Sequence, residues 1–352
     1  MERESERSGE RGETDRPRVV AEIGQGKGRT DYITRAMRCA RDAGCWAAKI
    51  QLLQPELIAQ PDAPVYWDEH RPEVTDQRSS FATVGCLDYG ELSGLLDAAG
   101  DIGIELIATP FDLGAVDVMA RAGMRWCKIA SGDITNRPLV EAVAKAFPDG
   151  VILSTGAASD AEIEAAVDWI GRPWAVLACT LAYPTFPEDA ELARVRTLRD
   201  LMDRRADGGR IGYSDHTHAS STAGYAVAAG ATVLEKHFTL DRADGSVPDN
   251  AFALDPEAMA AYVRSADEVA GLLGSGRLGS IAAEDPARVG ARRSVCAARD
   301  LPAGHRIGAD DLVMLRPATP EGFAPTEAHE VTGCTTSRPI AAGAPIVRSA
   351  VA

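Results

Sequence analysis

A chain of 352 residues that is 45% hydrophobic and 25% charged can bury a large core without disulfide or metal staples. Its 37 Lys and Arg against 52 Asp and Glu give a net charge of −15, which excludes a general nucleic-acid or anionic-membrane binder, because both need a positive field. A small anionic substrate, which needs only a few local cations, is not excluded.

Residues 1–16 are charged, carry no apolar stretch, and read as a disordered tail rather than a signal peptide. From Arg18 onward, short runs rich in Val and Ile alternate with longer helical stretches. The runs cover 19–24, 47–53, 104–110, 125–131, 151–156, 175–180, 210–214 and 232–238. Each is nearly continuous in apolar residues, the pattern of strands covered on both faces. Segments 31–43, 89–100, 159–170 and 256–273 place apolar residues at i, i+3 and i+4 and predict helices, with Gly100, Gly123 and Gly230 as left-handed caps. Eight strand–helix units predict an α/β fold, a (β/α)8 TIM barrel over 17–274, with an open doubly wound sheet as the alternative.

Residues 275–289 read as a linker rich in Gly, Ser and Pro, and 290–352 as a small β-rich domain with a helix candidate at 309–312. In that domain DLPAGHRI (300–307) and PIAAGAPI (339–346) echo one another. A module of this size is marginal alone and is expected to lean on the barrel. No apolar run reaches the roughly 18–20 residues that span a bilayer. Seven scattered cysteines without CxxC spacing indicate a reducing compartment, the cytoplasm, with Cys127 and Cys179 as core residues.

The chemistry of a barrel sits at the C-terminal ends of its strands, and polar residues fall there in almost every predicted strand. They are Glu22, Lys49, Lys128 with Ser131 and Asp133 beyond it, Ser154, then Thr180 and Tyr183, then Ser214, Asp215 and His216, and finally Glu235, Lys236 and His237. Polar groups inside apolar runs are costly unless paired or used. One such lysine would be explained by a structural ion pair, but two lysines and three serines at one mouth make an anion site, most naturally for phosphate. One strand-end histidine would be a hydrogen-bonded core residue. Two on neighbouring strands, His216 and His237, suit a divalent Mn, Fe, Co or Zn ion acting as a Lewis acid. His218 reads as a surface residue at a helix start.

Together these motifs resemble the sialic acid synthases, phosphoenolpyruvate-condensing enzymes that make nine-carbon keto-deoxy acids. The resemblance rests on VVAEIGQ (19–25), AAKIQ (47–51), ATPFD (108–112), CKIASGD (127–133), LSTGA (153–157), ACTLAYPT (178–185), GYSDHT (212–217), LEKHFTLDR (234–242) and VPDNAFALDP (247–256). RRSVCAARDLPAG and DLVMLRPA resemble the antifreeze-like (SAF) module of those enzymes. The resemblance implies a TIM barrel followed by a SAF cap in a domain-swapped homodimer, with phosphoenolpyruvate and an aldose-type aldehyde as substrates and no nucleic-acid or membrane partner. It implies that Lys49, Lys128, Ser131, Ser154 and Ser214 hold the phosphoenolpyruvate. It places a divalent metal, usually Mn²⁺, on His216 and His237. Glu22, Asp249 and Asp133 form the catalytic carboxylate set; Tyr183 and Asp249 contact the acceptor sugar, and Arg316 of the partner subunit reaches toward it.

The chain also departs from the family pattern. Gly26-Lys27-Gly28-Arg29 stands where the family reads Asn-His-x-Gly, Asp133 replaces a Glu, Leu181 an Asn and Asn250 a His, and RPATPEG alters the small-domain motif. The reaction residues survive while acceptor-facing ones change, so N-acetylmannosamine is expected to be a poor acceptor. Lys27 and Arg29, with Asp62, Tyr66, Trp67, Asp68, Glu69, His70 and Arg71 from 59–84, are expected to overhang the mouth toward an acidic or highly oxygenated sugar. Two other readings remain at this point: a lyase-type aldolase that uses no phosphoenolpyruvate, and a non-enzymatic glycan-binding barrel.

Overall fold

The computed structural model describes residues 16–67, 71, 73–205 and 209–352. Almost all of the expected tail, and Asp68, Glu69 and His70, therefore lie outside the described residues. The chain divides between Gly274 and Ser275 into two compact units.

The first unit is a closed barrel of eight parallel strands in sequential order, which rules out the open sheet. The strands are β1 (Arg18–Gly24), β2 (Ala47–Leu52), β3 (Glu105–Pro110), β4 (Trp126–Ile129), β5 (Val151–Ser154), β6 (Ala175–Cys179), β7 (Arg210–Asp215) and β8 (Val233–His237). The side-chain period of two sorts each strand between two cores. Val20, Ala47, Ile107, Trp126, Ile152, Ala175, Leu177 and Val233 fill the lumen. Their neighbours Val19, Ala48, Leu106, Cys127, Val176, Ile211 and Leu234 pack outward against the helices. The same parity carries on to the C-terminal ends, so Glu22, Lys49, Lys128, Ser154, Ser214, Glu235 and His237 share the lumenal face. Gly212 is needed in this lumen, since a Cβ there would sit 2.2 Å from the Val233 carbonyl oxygen and 2.4 Å from Leu177.

The helices Thr30–Asp42, Leu92–Ile102, Asp160–Ile170 and Pro256–Leu273 occupy the expected segments. Gly100 lies inside its helix, and the left-handed cap is Gly103, at φ 77°. Gly230 caps Thr222–Ala229 as expected. That helix and Leu113–Arg121, Arg137–Ala146 and Arg194–Arg205 were not among the predicted segments. The sequence TAGYAVAA, for instance, is apolar almost all round and shows no helical period.

In the second unit, Val295, Ala297, Leu301, Ile307, Phe323, Val331, Ile340, Ile346 and Ala350 form a separate core. Here β9 (Ser294–Ala297) pairs antiparallel with β10 (Leu312–Leu315). The helix candidate at 309–312 is a 3₁₀ turn, Ala309–Asp311, that leads directly into β10. The expected linker holds a 3₁₀ turn, Ala282–Glu284, and the start of the short helix Asp285–Gly290. The two echoed segments pair with each other, Leu301 and Ile340 exchanging backbone hydrogen bonds of 2.8 and 2.9 Å. Among the described residues no helix is long and apolar enough to cross a membrane.

Candidate active site

The C-terminal mouth of the barrel opens into a cavity of about 330 Å³. Its floor is a buried charge cluster. Lys49 Nζ lies 2.7 Å from Glu22 Oε2, 3.8 Å from Glu235 Oε1, and donates to Thr109 Oγ1 at 3.0 Å. The contact with Glu22 Oε2 is one of charge, without hydrogen-bond alignment. Lys128 Nζ donates to Glu235 Oε1 at 3.4 Å, Ser214 Oγ to the same oxygen at 3.2 Å, and Gln51 Nε2 to Glu22 Oε1 at 2.8 Å. Two ammonium groups thus face two carboxylates out of water. Burial works against ionised Glu235, but Lys128 and Lys49 outweigh it and hold the carboxyl down at about 2. Burial lowers the Lys128 pKa despite Glu235; for Lys49, burial is outweighed by Glu22 and Glu235 and the pKa rises.

Ser154 Oγ is buried in the lining without a hydrogen-bond partner, an unmet polar group that a ligand oxygen would satisfy. Ser131 Oγ accepts the Gly156 N–H at 2.9 Å. Asp133, on the 3₁₀ turn Ser131–Asp133, lines the cavity; burial raises its pKa against a hydrogen bond from Asn136.

His216 and His237 stand with ring centroids 5.4 Å apart. His216 Nδ1 is 2.9 Å from the Thr180 carbonyl oxygen, which fixes the proton on Nδ1 and leaves Nε2 a free lone pair. Burial, then the neighbouring His237, lower the His216 pKa to about 3, so the ring is neutral. His237 Nδ1 is 3.2 Å from Asp249 Oδ2, again leaving Nε2 free. Burial opposes ionisation of Asp249, and His237 overrides it to lower the pKa. Tyr183 packs 4.3 Å from the His216 ring and Phe252 4.9 Å from the His237 ring. Among the described residues no group of three or more His, Cys, Asp or Glu gathers closely enough to hold an ion by itself. Two imidazoles held by their Nδ1 partners fit a catalytic ion that keeps open positions for water and substrate.

The family model described as NeuB family matches residues 36–278, and that of the SAF domain matches 292–352. The chain belongs to the NeuB family. It is 32% identical over 340 residues, 92% of each chain, to N,N'-diacetyllegionaminic acid synthase of Legionella pneumophila. It is 30% identical over 325 residues to N-acetylneuraminate-9-phosphate synthase of Mus musculus, covering 90% of this chain and 87% of that one. The crystal structure of N-acetylneuraminic acid synthetase from Leptospira borgpetersenii matches with a TM-score of 0.68 at 29% identity, over 77% of this chain and 90% of that one. As a NeuB-family protein the chain is an enzyme, a C–C bond-forming transferase.

Not every residue singled out in this NeuB-family sequence reaches the cavity. Lys27 pairs with Asp244, packs over the Tyr32 ring, and is absent from the lining; Arg29 pairs with the exposed Asp31 at 2.7 Å. Both cations are paired with carboxylates in the structure. Tyr66 and Trp67 do line the cavity, and Arg71 ties its loop to the Ser246 carbonyl oxygen at 2.9 Å and to Ser80 Oγ at 2.8 Å. His218 is exposed ahead of the helix that starts at Thr222. Arg316 is exposed in the second unit, just after β10. The sequence reading placed Glu235 at a strand end but gave no site role to this residue, which balances both lysines. Parity was the available signal: 235 and 237 share the lumenal face, whereas Lys236 turns outward to a fully buried pair with Asp215 at 3.3 Å.

Proposed function

We propose that this NeuB-family enzyme condenses phosphoenolpyruvate with the open-chain aldehyde of an uncharged aldose-type sugar, yielding a nonulosonic-type 2-keto-3-deoxy acid and phosphate. The observation that carries this reading is the pair of lumenal lysines beside the unpartnered Ser154 hydroxyl, a preformed seat for a carboxylate and a phosphate. The methylene carbon of the donor attacks the aldehyde carbon, forming the new C–C bond. Water adds to the resulting cationic C2, and the C2–O bond breaks to release phosphate. Lys49 and Lys128, with Ser131, Ser154 and Ser214, bind and orient the donor. Glu22, Asp249 and Asp133 are the carboxylates in reach to give a proton to the new alkoxide and to take one from the attacking water. His216 and His237 would hold a divalent ion, Mn²⁺ by the family resemblance, whose chemistry is to polarise the aldehyde oxygen.

The acceptor class follows from the far wall, where Ile58, Tyr66, Trp67, Phe81, Phe111 and Leu181 face the cavity. Among the described lining residues Lys49 and Lys128 are the only Lys or Arg, and the donor engages both. Within its own subunit a phosphorylated sugar would find no second counter-charge, whereas an apolar substituent would find a surface to bury against. Tyr183 and Asp249 flank the acceptor, and Arg316 of the partner subunit completes the mouth in a domain-swapped homodimer of the cytoplasm.

The purified enzyme, given phosphoenolpyruvate, Mn²⁺ and a panel of aldoses, tests this by phosphate release and product mass. Phosphate is expected only when an aldehyde is present. Uncharged sugars with an apolar substituent are expected to outpace both N-acetylmannosamine and phosphorylated sugars by about tenfold, roughly 1.4 kcal/mol in the transition state. No condensation with any member of the panel would defeat the reading.

A further inference from the structure

The opposite, N-terminal end of the barrel carries a second concentration of charge that the proposed reaction does not use. Trp46, Trp126 and Trp174 plug the lumen there, with Trp46 stacked on Trp174 at 5.2 Å. Arginines crowd this plug. The Arg18 guanidinium lies 4.7 Å from the Trp46 ring and 5.3 Å from Trp174, Arg210 lies 4.7 Å from Trp174, and Arg125 lies 4.6 Å from Trp126. Arg210 and Arg172 also line a cleft of about 400 Å³ together with Asp149, Pro173, Trp174 and Gly209.

Among the described residues none of these four arginines forms an ion pair with a carboxylate. Glu105, which acts on Arg18, is engaged by the Trp126 indole N–H at 2.9 Å. Among the described residues the arginines outnumber the carboxylates named beside them, Glu105 and Asp149, in a chain whose net charge is −15. Burial, then the like charge of Arg210, depress the pKa of Arg18, with Arg125 adding to the effect. Stacking on indole accounts for one cation per ring. It does not account for Arg172, which stacks on no ring and shares the cleft with Arg210 beside the charge of Arg18 and Arg125.

We propose that this cleft is a binding site for a phosphate-bearing anion, gripped by Arg172 and Arg210 and backed by the charge of Arg18 and Arg125. A guanidinium presents a planar fork of donors that matches phosphate oxygens, and an arriving anion relieves the repulsion among the arginines. The site is separate from the catalytic cavity, which opens at the other end of the same strands.

Isothermal titration of the full chain with pyrophosphate tests it. Two binding events are expected. Lys128→Ala should remove the one in the catalytic cavity. Arg172→Gln should weaken the other at least tenfold; this side chain is exposed and stacks on no ring, so the barrel stays folded. Arg172→Gln/Arg210→Gln should remove it. A nucleoside diphosphate in place of pyrophosphate separates the sources of the anion: equal affinity assigns the site to the phosphates alone, tighter binding to a nucleotide. Without added anion, Arg210→Gln should leave the thermal midpoint unchanged or raise it. A single event that Lys128→Ala abolishes, or wild-type pyrophosphate binding in the double variant, overturns the proposal and leaves the arginines a structural stack.

Discussion

Lys128 and Glu235 show how much of this site is electrostatic balance. Both are buried, and each neutralises charge that the lumen could not otherwise hold. Removing one member of such a pair strands the other, at a cost of about 3–5 kcal/mol. Lys128→Ala is therefore expected to weaken phosphoenolpyruvate binding at least ~100-fold, about 2.7 kcal/mol, as read by calorimetry. Glu235→Gln should act in the opposite direction. It leaves Lys49 and Lys128 under-neutralised, so the protein without ligand loses stability while added phosphate raises its thermal midpoint more than in the wild type. Equal weakening of donor binding by both variants would show that Glu235 touches the donor rather than competing with it. Lys128 was legible as a charged residue inside an apolar run. Glu235 was legible only as a polar strand-end residue without a role, because that role depends on lysines 107 and 186 positions away along the chain.

The turn before β10 illustrates the same physics in a single element. Asp311 accepts from the Gly308 N–H at 2.9 Å and from Arg299 Nε at 2.8 Å, and it lies 2.6 Å from His305 Nε2. His305, then the Gly308 amide, hold its carboxyl well below the usual carboxylate range. A depressed folded-state value means that the stabilisation is complete above the unfolded-state pKa and fades as pH falls through the folded one. Protection of the Gly308 amide, and of the Ala298 amide bonded to the Asp311 carbonyl oxygen, is expected to decline below about pH 4 in hydrogen exchange. Asp311→Asn should flatten that dependence. Undiminished protection at pH 3 in the wild type would contradict it. From sequence this stretch, 309–312, read as a helix candidate. The structure uses the acidic side chain to close a 3₁₀ turn and launches a strand instead.

At the scale of the whole molecule, the two units have separate hydrophobic cores and divide between Gly274 and Ser275. A chain ending at Gly274 is expected to fold with the near-ultraviolet dichroism of the full protein, since all 5 tryptophans belong to the barrel unit. If the second unit caps a partner's mouth, that truncated chain should keep donor binding and lose acceptor turnover by an order of magnitude or more. Light scattering of the full chain should give the mass of a dimer. A monomer with full activity would remove the swap from the proposal.

What the sequence determined by itself was local. Apolar runs of strand length, interrupted by polar residues near their ends, dictated eight strands, and the period of two dictated which residues share a face. That was enough to gather Lys49, Lys128, Ser154, Ser214, His216 and His237 at one mouth. Contacts between distant segments were decided only by closing the sheet. Pairing β1 with both β2 and β8 sets Glu22 beside Lys49 on one side and His237 on the other. The fold likewise brought Asp244 to Lys27 and drew Arg18, Arg125 and Arg210 onto one tryptophan plug. The physical reason is that backbone periodicity reports the face a side chain occupies. Its partner across the barrel depends on strand tilt and stagger, which are properties of the closed sheet as a whole.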